Sequence, residues 1–396
     1  MKELETAAES QRLAVAHRLC PLLTILTVVV FVWPSFAQQK VGTLPDPVTD
    51  YAFAFYSLNF IDGAAAARGG SGVALALGAR SALANPAGLL GGDRLQVHLG
   101  GAGFRNDLDP APPRFPATPY KQPNPRATAA AAMRLGDRIA LAAGFSNVRY
   151  YESHLRWEYE ETTYEFPNGT GRFFVYSIDR RLRVLQYSLA LAVAATDNFS
   201  AGIAVDYQHF TLGFDEASTD SSFPTRINAR DTHDAVLLRF GALQRIGDVT
   251  LGLTVRSGDR FTFAVNDDSR DWGESSQIPW EFSLGASYRD LFTCEGKWYY
   301  FRDNYNPTDL YDLGAGAHLS LITRGENALL HLNLGLIYRH LLEVYSRRDA
   351  QAFINSGLEA DFGCFHLAAT VLNGHWLNNE RLRVSELQLA VGYGAD

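Results

Sequence analysis

Short polar turns alternate with long polar connections along this chain, and that alternation constrains the fold more than any motif does. The short turns fall at Gly136-Asp137, Asp197-Asn198, Gly247-Asp248, Asp290, Arg324-Gly325-Glu326 and Phe362-Gly363. The long connections fall near residues 106–125, 159–172, 215–231, 266–278, 303–311, 342–351 and 373–383. Between them lie about fourteen segments that read as β-strands. A soluble sandwich has no reason to sort its loops by parity. A transmembrane β-barrel does, because its periplasmic mouth carries short turns and its extracellular mouth carries longer loops. The sequence therefore predicts an all-β protein, a transmembrane antiparallel β-barrel of about fourteen strands. An even count follows if both ends of the strand series lie on the periplasmic side.

Strand patterning supports this. A barrel strand alternates apolar residues toward lipid with small or polar residues toward the lumen. In 329–339, Leu330, Leu332, Leu334, Leu336 and Tyr338 share one face, opposite His331, Asn333, Gly335 and Arg339, with Ile337 the exception. In 384–394, Leu387, Leu389, Val391 and Tyr393 oppose Glu386, Gln388 and Gly392. Segments 281–289, 249–256 and 201–209 alternate in the same way. The noisier segments are 93–104, 126–136, 138–150, 181–195, 232–246, 291–301, 312–323, 352–362 and 364–372. A soluble sandwich would cover its apolar face with a second apolar layer, and none is present. On this reading Leu334 touches lipid near the bilayer centre, while Asn333 points into a polar space expected to tolerate a charge.

The N-terminus agrees. Lys2, Arg12, His17 and Arg18 precede an apolar run from Leu22 to Trp33, which ends in Ser35-Phe36-Ala37. Small residues at the cleavage positions predict a signal peptide over 1–37. The run is shorter than the ~20 residues a spanning helix needs. Export through this signal implies a Gram-negative bacterial outer membrane, with its lipid as the first partner. The formal charge of −8 argues against nucleic acid, whose binders carry basic stripes. Removal of the signal leaves Cys294 and Cys364, too few for a disulfide framework.

Residues 38–92 do not read as spanning strands; the barrel is assigned to 93–396. The segment Ala64-Ala65-Ala66-Ala67-Arg68-Gly69-Gly70-Ser71-Gly72-Val73-Ala74 is followed by Ser81-Ala82-Leu83-Ala84-Asn85-Pro86-Ala87-Gly88-Leu89. So many small residues suit a chain packed where backbones approach closely. Ser81 is expected to cap a short helical turn, and Asn85-Pro86 to break regular structure. An Ala-Arg, Gly-Gly, Gly-Val-Ala stretch followed by Asn-Pro-Ala-Gly-Leu just ahead of the first strand resembles the long-chain fatty-acid transporter family of outer-membrane proteins. Relatives of that family include hydrocarbon-uptake channels and barrels associated with type IX secretion. The lead-in Tyr56-Ser57-Leu58-Asn59-Phe60 looks more like the secretion-associated branch.

The resemblance implies that 38–92 is a hatch folded into the lumen, with Asn85, Pro86, Ala87 and Gly88 as the hatch motif near the wall. It also implies a kinked third strand that opens a lateral gap for apolar ligands. Here no kink is evident in that strand; Gly144 followed by Ser146-Asn147 is the sole candidate. The acidic residues often found before the Asn-Pro motif are replaced by Gly78-Ala79-Arg80, which weakens the case for a fatty-acid substrate.

No constellation for catalysis, cofactor or metal emerges: the histidines are scattered without paired zinc spacing. Asp206, Arg239, Arg256, Glu295, Lys297, Arg339 and Glu359 are candidate lumen-lining charges. Glu295 and Lys297 either line a polar path or form one of several ion pairs filling a small lumen. Phe166, Phe173, Phe174 and Tyr176 form either an apolar entrance or part of an outer aromatic girdle. The Pro-rich loop 106–125 is stiff and extended; it either covers the mouth, meets a protein partner, or is an ordered surface loop. The chain thus reads as a passive channel for uptake of small hydrophobic compounds. The alternative is a protein-interaction barrel of a secretion or surface-attachment system, with a partner at the extracellular loops.

Overall fold

The alternating segments pair into one antiparallel sheet of sixteen strands. The computed structural model describes residues 63–108, 126–161, 172–218, 226–267, 271–300, 310–324, 327–340, 350–374, 377 and 382–395. The signal peptide, the start of the proposed hatch, the Tyr56–Phe60 lead-in, most of the Pro-rich loop and Phe166 lie outside the described residues. The first strands are β1 (Leu95–Leu108), β2 (Arg126–Arg134), β3 (Ile139–Glu161), β4 (Arg172–Thr196), β5 (Phe199–Ser218) and β6 (Arg226–Ile246). Next come β7 (Val249–Arg256), β8 (Asp259–Asp267), β9 (Asp271–Ile278), β10 (Trp280–Tyr288) and β11 (Phe292–Tyr300). The series ends with β12 (Leu310–Arg324), β13 (Asn327–His340), β14 (Ala350–Phe362), β15 (Phe365–Asn373) and β16 (Leu382–Ala395).

Pairing of β1 with β16, and of β5 with β6, closes the sheet. Closure leaves no sheet edge in the membrane, where an unpaired backbone group would cost several kcal/mol. The closed ring holds fourteen strands, β1–β7 and β10–β16; β8 and β9 hang from it as a hairpin. Strand β8 continues β7 beyond Ser257-Gly258, and β9 leads into β10 through Pro279. Both breaks have local causes. A Cβ on Gly258 would lie 2.9 Å from the Trp280 nitrogen, and Pro279 has no N–H for a ladder.

Among the described residues the short turns lie where predicted; Gly325-Glu326 lie outside them. Gly136, Gly247 and Gly363 take positive φ, as do Arg289 and Asp290 in the turn after β10; such angles match the twist of tight hairpins. The long connections need correction. Residues 266–278 read as a loop but largely form the β8–β9 hairpin, and β3–β6 run further than their alternation indicates, to 23, 25, 20 and 21 residues. A strand needs only about 9–11 residues to cross the membrane. Beyond that depth no lipid imposes alternation, so polar strand and polar loop look alike in sequence.

Facing follows the pattern. Leu334 and Leu336 are exposed toward lipid, while Asn333, Ile337 and Arg339 are buried inside. Ile203, Val205, Leu387 and Leu389 point out; Asp206, Gln208, Glu386 and Gln388 point in. Rings gather at two levels of the outer surface. Trp280 stacks on Phe282, with Trp298 and Tyr300 packed at a tilt beside them at one level, and Phe365 and Tyr393 pack together at the short-turn level. Strand β10 runs from Trp280 to Tyr288, nine residues. That is about 30 Å along a strand, or about 23 Å of depth at a tilt of about 40°, which matches the apolar band of such barrels.

One expectation fails. Asn333 is fully buried and bonded to Arg68, Glu359 and His318. The space inside is filled, so a second cation there would meet Arg68. Ser320, exposed at the short-turn mouth with its hydroxyl 3.5 Å from the inward-facing His331 ring, is an inner position tolerant of a carboxylate. Leu334→Arg is expected to cost ~2–4 kcal/mol of barrel stability, and Ser320→Glu less than about 1 kcal/mol. Urea unfolding in lipid should rank them in that order; the reverse ranking would invert the assigned faces.

Candidate functional site

Residues 63–92 form a short helix α1 (Gly63–Ala67) and two 3-10 turns, Gly78–Ala82 and Pro86–Leu90. They lie against the inward face of the wall. Glycine in a strand interior is unfavourable unless another backbone comes close, and here it does so on strand after strand. A Cβ on Gly202 of β5 would sit 2.6 Å from the Ala87 nitrogen. The Gly241 site of β6 is occupied by Asn85 and Pro86. On Gly252 of β7 a Cβ would sit 2.7 Å from Ala74 Cα, on Gly316 of β12 2.5 Å from Arg68 Cα, and on Gly357 of β14 2.8 Å from Ala67 Cβ. These glycines face one another across the ladders: Gly202 pairs with Gly241, Gly252 with Gly285, and Gly316 with Gly335. Together they form a track that receives the backbone of 67–87.

Polar side chains fix the segment along this track. Asn85 caps the second 3-10 turn: its Oδ1 accepts from the Ala87 amide at 3.1 Å, and Pro86 takes the first position of the turn. Its Nδ2 donates to the Val73 carbonyl at 2.6 Å and to the Ala242 carbonyl of β6 at 3.2 Å. The Asn-Pro pair thus starts a turn and docks it on the wall, where the sequence suggested only a break. Ser81 does not cap from outside its turn; its hydroxyl accepts from the Leu77 amide. On β11, which has no glycine in the track, Glu295 Oε2 accepts from the Gly72 and Val73 amides at 2.8 and 2.9 Å. Arg239 donates to the Ala82 and Ala84 carbonyls at 2.7 and 2.9 Å, and to Asp206 at 2.8 Å. Arg68 donates to Asn333 at 3.0 Å and to Glu359 at 3.2 Å.

The opposite side of the segment is dry. Ala79, Ala82 and Leu89 pack on Ala130 and Ala132 of β2, Ala140 and Ala142 of β3, Ala190 and Ala192 of β4 and Ala204 of β5. Leu83 reaches within 2.8 Å of the place a Gly144 side chain would occupy. Outside this sector Ala131 and Ala143 floor a trough of about 570 Å³, walled by Leu95, Met133, Leu141 and Leu189. Strand β2 pairs with β3 only from Arg134↔Ala140 to Thr128↔Ser146. The β3 register then slips by one residue between Asn147 and Arg149. A bulge bends its strand and increases the local twist, so the third strand does carry an irregularity, just beyond the Ser146-Asn147 pair.

All seven candidate lumen charges point inward. Arg239 pairs with Asp206, Arg256 with Glu281, Arg339 with Asp312 at 2.9 Å, and Glu359 with Arg68. Glu295 turns its carboxylate to the two segment amides, while Lys297 lies close enough to act on it electrostatically. Phe173, Phe174 and Tyr176 lie on β4, paired with Glu160, Tyr159 and Trp157 of β3. Sequence reasoning missed the polar run on β4–β6, in which Gln208 donates to Gln186, Gln186 to Ser188, and Ser188 to Asp206. It also missed the glycine track, although recurrent inward-facing glycines were the available signal.

A closed antiparallel barrel of fourteen strands, with a small-residue segment seated inside, has the fold of the fatty-acid-transporter-like outer-membrane barrels. The toluene transporter TbuX of Ralstonia pickettii superposes with a TM-score of 0.56 at 15% identity, over 85% of this chain and 98% of that one. The toluene transporter TodX of Pseudomonas putida gives 0.55 at 15%, over 85% and 98%. A fatty-acid transporter homologue of Pseudomonas aeruginosa gives 0.59 at 14%, over 84% and 98%. No family model and no curated protein sequence matches the chain.

Gly241→Leu is expected to expel Asn85 from its seat while the barrel stays closed. Heat-modifiable gel mobility should persist, and limited proteolysis should cut within 83–92 at least about tenfold faster, as expected when bonds worth about 1 kcal/mol each are lost together. Unchanged cleavage would place the turn elsewhere.

Proposed function

We propose that the protein is a passive outer-membrane channel for uptake of small hydrophobic compounds, with residues 38–92 acting as a hatch. The observation that carries this reading is the asymmetry of the seat. Toward β6–β14 the segment is held by ionic and amide hydrogen bonds, and β5 holds it through Ser200, whereas its contact with β2–β4 is mostly alanine and leucine packing. Methyl-on-methyl packing is weak per contact and imposes no partner geometry. A segment that shifts would therefore part from β2–β4 first. The void so opened is lined by Ala130, Ala132, Ala140 and Ala142, beside the bulged β3 and behind the trough on the lipid face. Apolar cargo would leave sideways into the membrane there, bypassing the charge pairs of the opposite wall. Asn85, Pro86, Ala87 and Gly88 would position the hatch, and the inward charges would hold its fixed side. The likeness to transporters described as toluene channels supports an apolar cargo.

A second reading, a protein-interaction barrel of a secretion or surface-attachment system, draws on β3–β6. These strands continue their ladder well past membrane depth, to Glu161↔Arg172 and Ala217↔Arg226. A partner recovered stoichiometrically from membranes would favour it.

Liposomes carrying the protein are expected to take up labelled toluene or a comparable hydrocarbon faster than empty liposomes. Ala130→Phe with Ala142→Phe, which fills the dry seam, should reduce that gain by at least about tenfold, since overpacking a close-packed site costs 1–3 kcal/mol. Uptake equal to that of empty liposomes across a panel of apolar ligands would overturn the channel reading.

A further inference from the structure

The wall beneath Arg68 holds a closed ring of titratable groups that the hatch geometry alone does not require. Arg68 Nε donates to Asn333 Oδ1 at 3.0 Å, and His318 Nδ1 lies 2.7 Å from the same oxygen. The His318 and His331 rings stack with centroids 4.4 Å apart. His331 Nε2 lies 3.2 Å from Asp361 Oδ2, and Asp361 Oδ1 lies 2.7 Å from His366 Nδ1. His366 Nε2 then lies 3.2 Å from Glu359 Oε2, and Glu359 Oε1 takes Arg68 Nη2 at 3.2 Å. The circuit joins β12, β13, β14 and β15 to the end of α1.

Its charge balance is close to a limit. Facing the histidines are the cations Arg68 and Arg80 and the carboxylates Glu359 and Asp361. His366 sits between the two carboxylates, hydrogen-bonded to Asp361 through Nδ1 and within ion-pair distance of Glu359 at Nε2, while Glu359 also holds Arg68. The carboxylates are then fully used. A further proton on His318 or His331 brings a cation that no carboxylate in the ring is left to offset, stacked on a second imidazole and one asparagine away from Arg68. Asp361, two residues from the Gly363 turn and partly exposed, opens the ring to the short-turn mouth. Protons therefore reach it from the periplasmic side.

We propose that this ring is an acid-sensitive latch. Protonation of the stacked His318–His331 pair loosens the hold of Asn333 and Glu359 on Arg68 and frees residues 65–73. Residues 85–90 stay seated, because Asn85 is held by the Val73 and Ala242 carbonyls and by no histidine. The latch acts on the segment whether or not the barrel carries a cargo.

Hydrogen exchange of the full chain in lipid nanodiscs tests this, with protection factors corrected for the intrinsic pH dependence of exchange. Between about pH 7.5 and about pH 4.5, a span that reaches below the ordinary histidine range, protection of 65–73 should fall at least about tenfold. Protection of 85–90 should hold. His318→Gln with His331→Gln keeps hydrogen-bonding groups but cannot charge, and should remove the fall; if that pair does not fold, His331→Gln alone should reduce it. Glu359→Gln should lower protection of 65–73 already at about pH 7.5, because Arg68 loses its counter-charge. Equal protection of 65–73 at both pH values overturns the proposal. So does a fall that persists undiminished without the histidines, or one that includes 85–90.

Discussion

The contact on which this structure depends is backbone against glycine. A barrel wall normally presents side chains to its lumen, and side chains keep an inner chain several ångströms away from the strands. Removing them at Gly202, Gly241, Gly252, Gly285, Gly316, Gly335 and Gly357 lets residues 67–87 lie directly on the wall. Amides and carbonyls then come within reach of Glu295, Arg239 and Asn85. Each glycine weakens its own strand, yet closure of the ring distributes that cost over fourteen strands, and in lipid the ladders have no alternative partner. The inner segment restores packing where the glycines removed it.

That seat is uneven, and the unevenness gives the fold a direction. Buried charges are expensive to leave unpaired, so the Arg239–Asp206 and Arg68–Glu359 bonds resist separation. Alanine contacts carry no such penalty. A segment wired on one side and merely packed on the other is predisposed to move away from its dry side. In this chain that side backs onto β2–β4, where Ala131 and Ala143 thin the outer face and β3 slips register. On the channel reading proposed above, the charge pairs on the remaining strands would disfavour an axial apolar path and favour a lateral one.

Much of the barrel was legible because lipid enforces its pattern. Leu330 to Leu336, or Leu387 to Tyr393, alternate because a one-residue slip would put asparagine or glutamate into hydrocarbon. All fourteen ring strands and the short turns follow from that rule. The β8–β9 hairpin was not legible, since Asn266–Ile278 lies where no solvent boundary forces alternation. Within the lumen, inward direction could be read for Asp206, Arg239, Arg256, Glu295, Lys297, Arg339 and Glu359, but partnership could not. Glu295 and Lys297 share a face at a spacing that suggests a pair, yet Glu295 binds amides more than 200 positions away in sequence. His318, His331 and His366 looked scattered because strands β12 to β15 of the barrel bring together residues separated by whole hairpins. The Asn85-Pro86 pair was visible as a motif; its role as a docked turn needed the Gly202–Gly241 gap opposite it.

The most direct test of the seated segment is a disulfide across its dry face. Leu83→Cys and Gly144→Cys are combined in a chain whose Cys20, Cys294 and Cys364 are changed to serine. Gly144 has room for a side chain only at the expense of Leu83, whose atoms approach that position to 2.8 Å, so two cysteines there meet at bonding distance. The structure predicts a cross-link in membranes of living cells, read as a fragment that stays attached after proteolysis between the two positions until reductant is added. Free thiols at both positions, with the one introduced at position 83 open to a bulky membrane-impermeant reagent, would contradict the account.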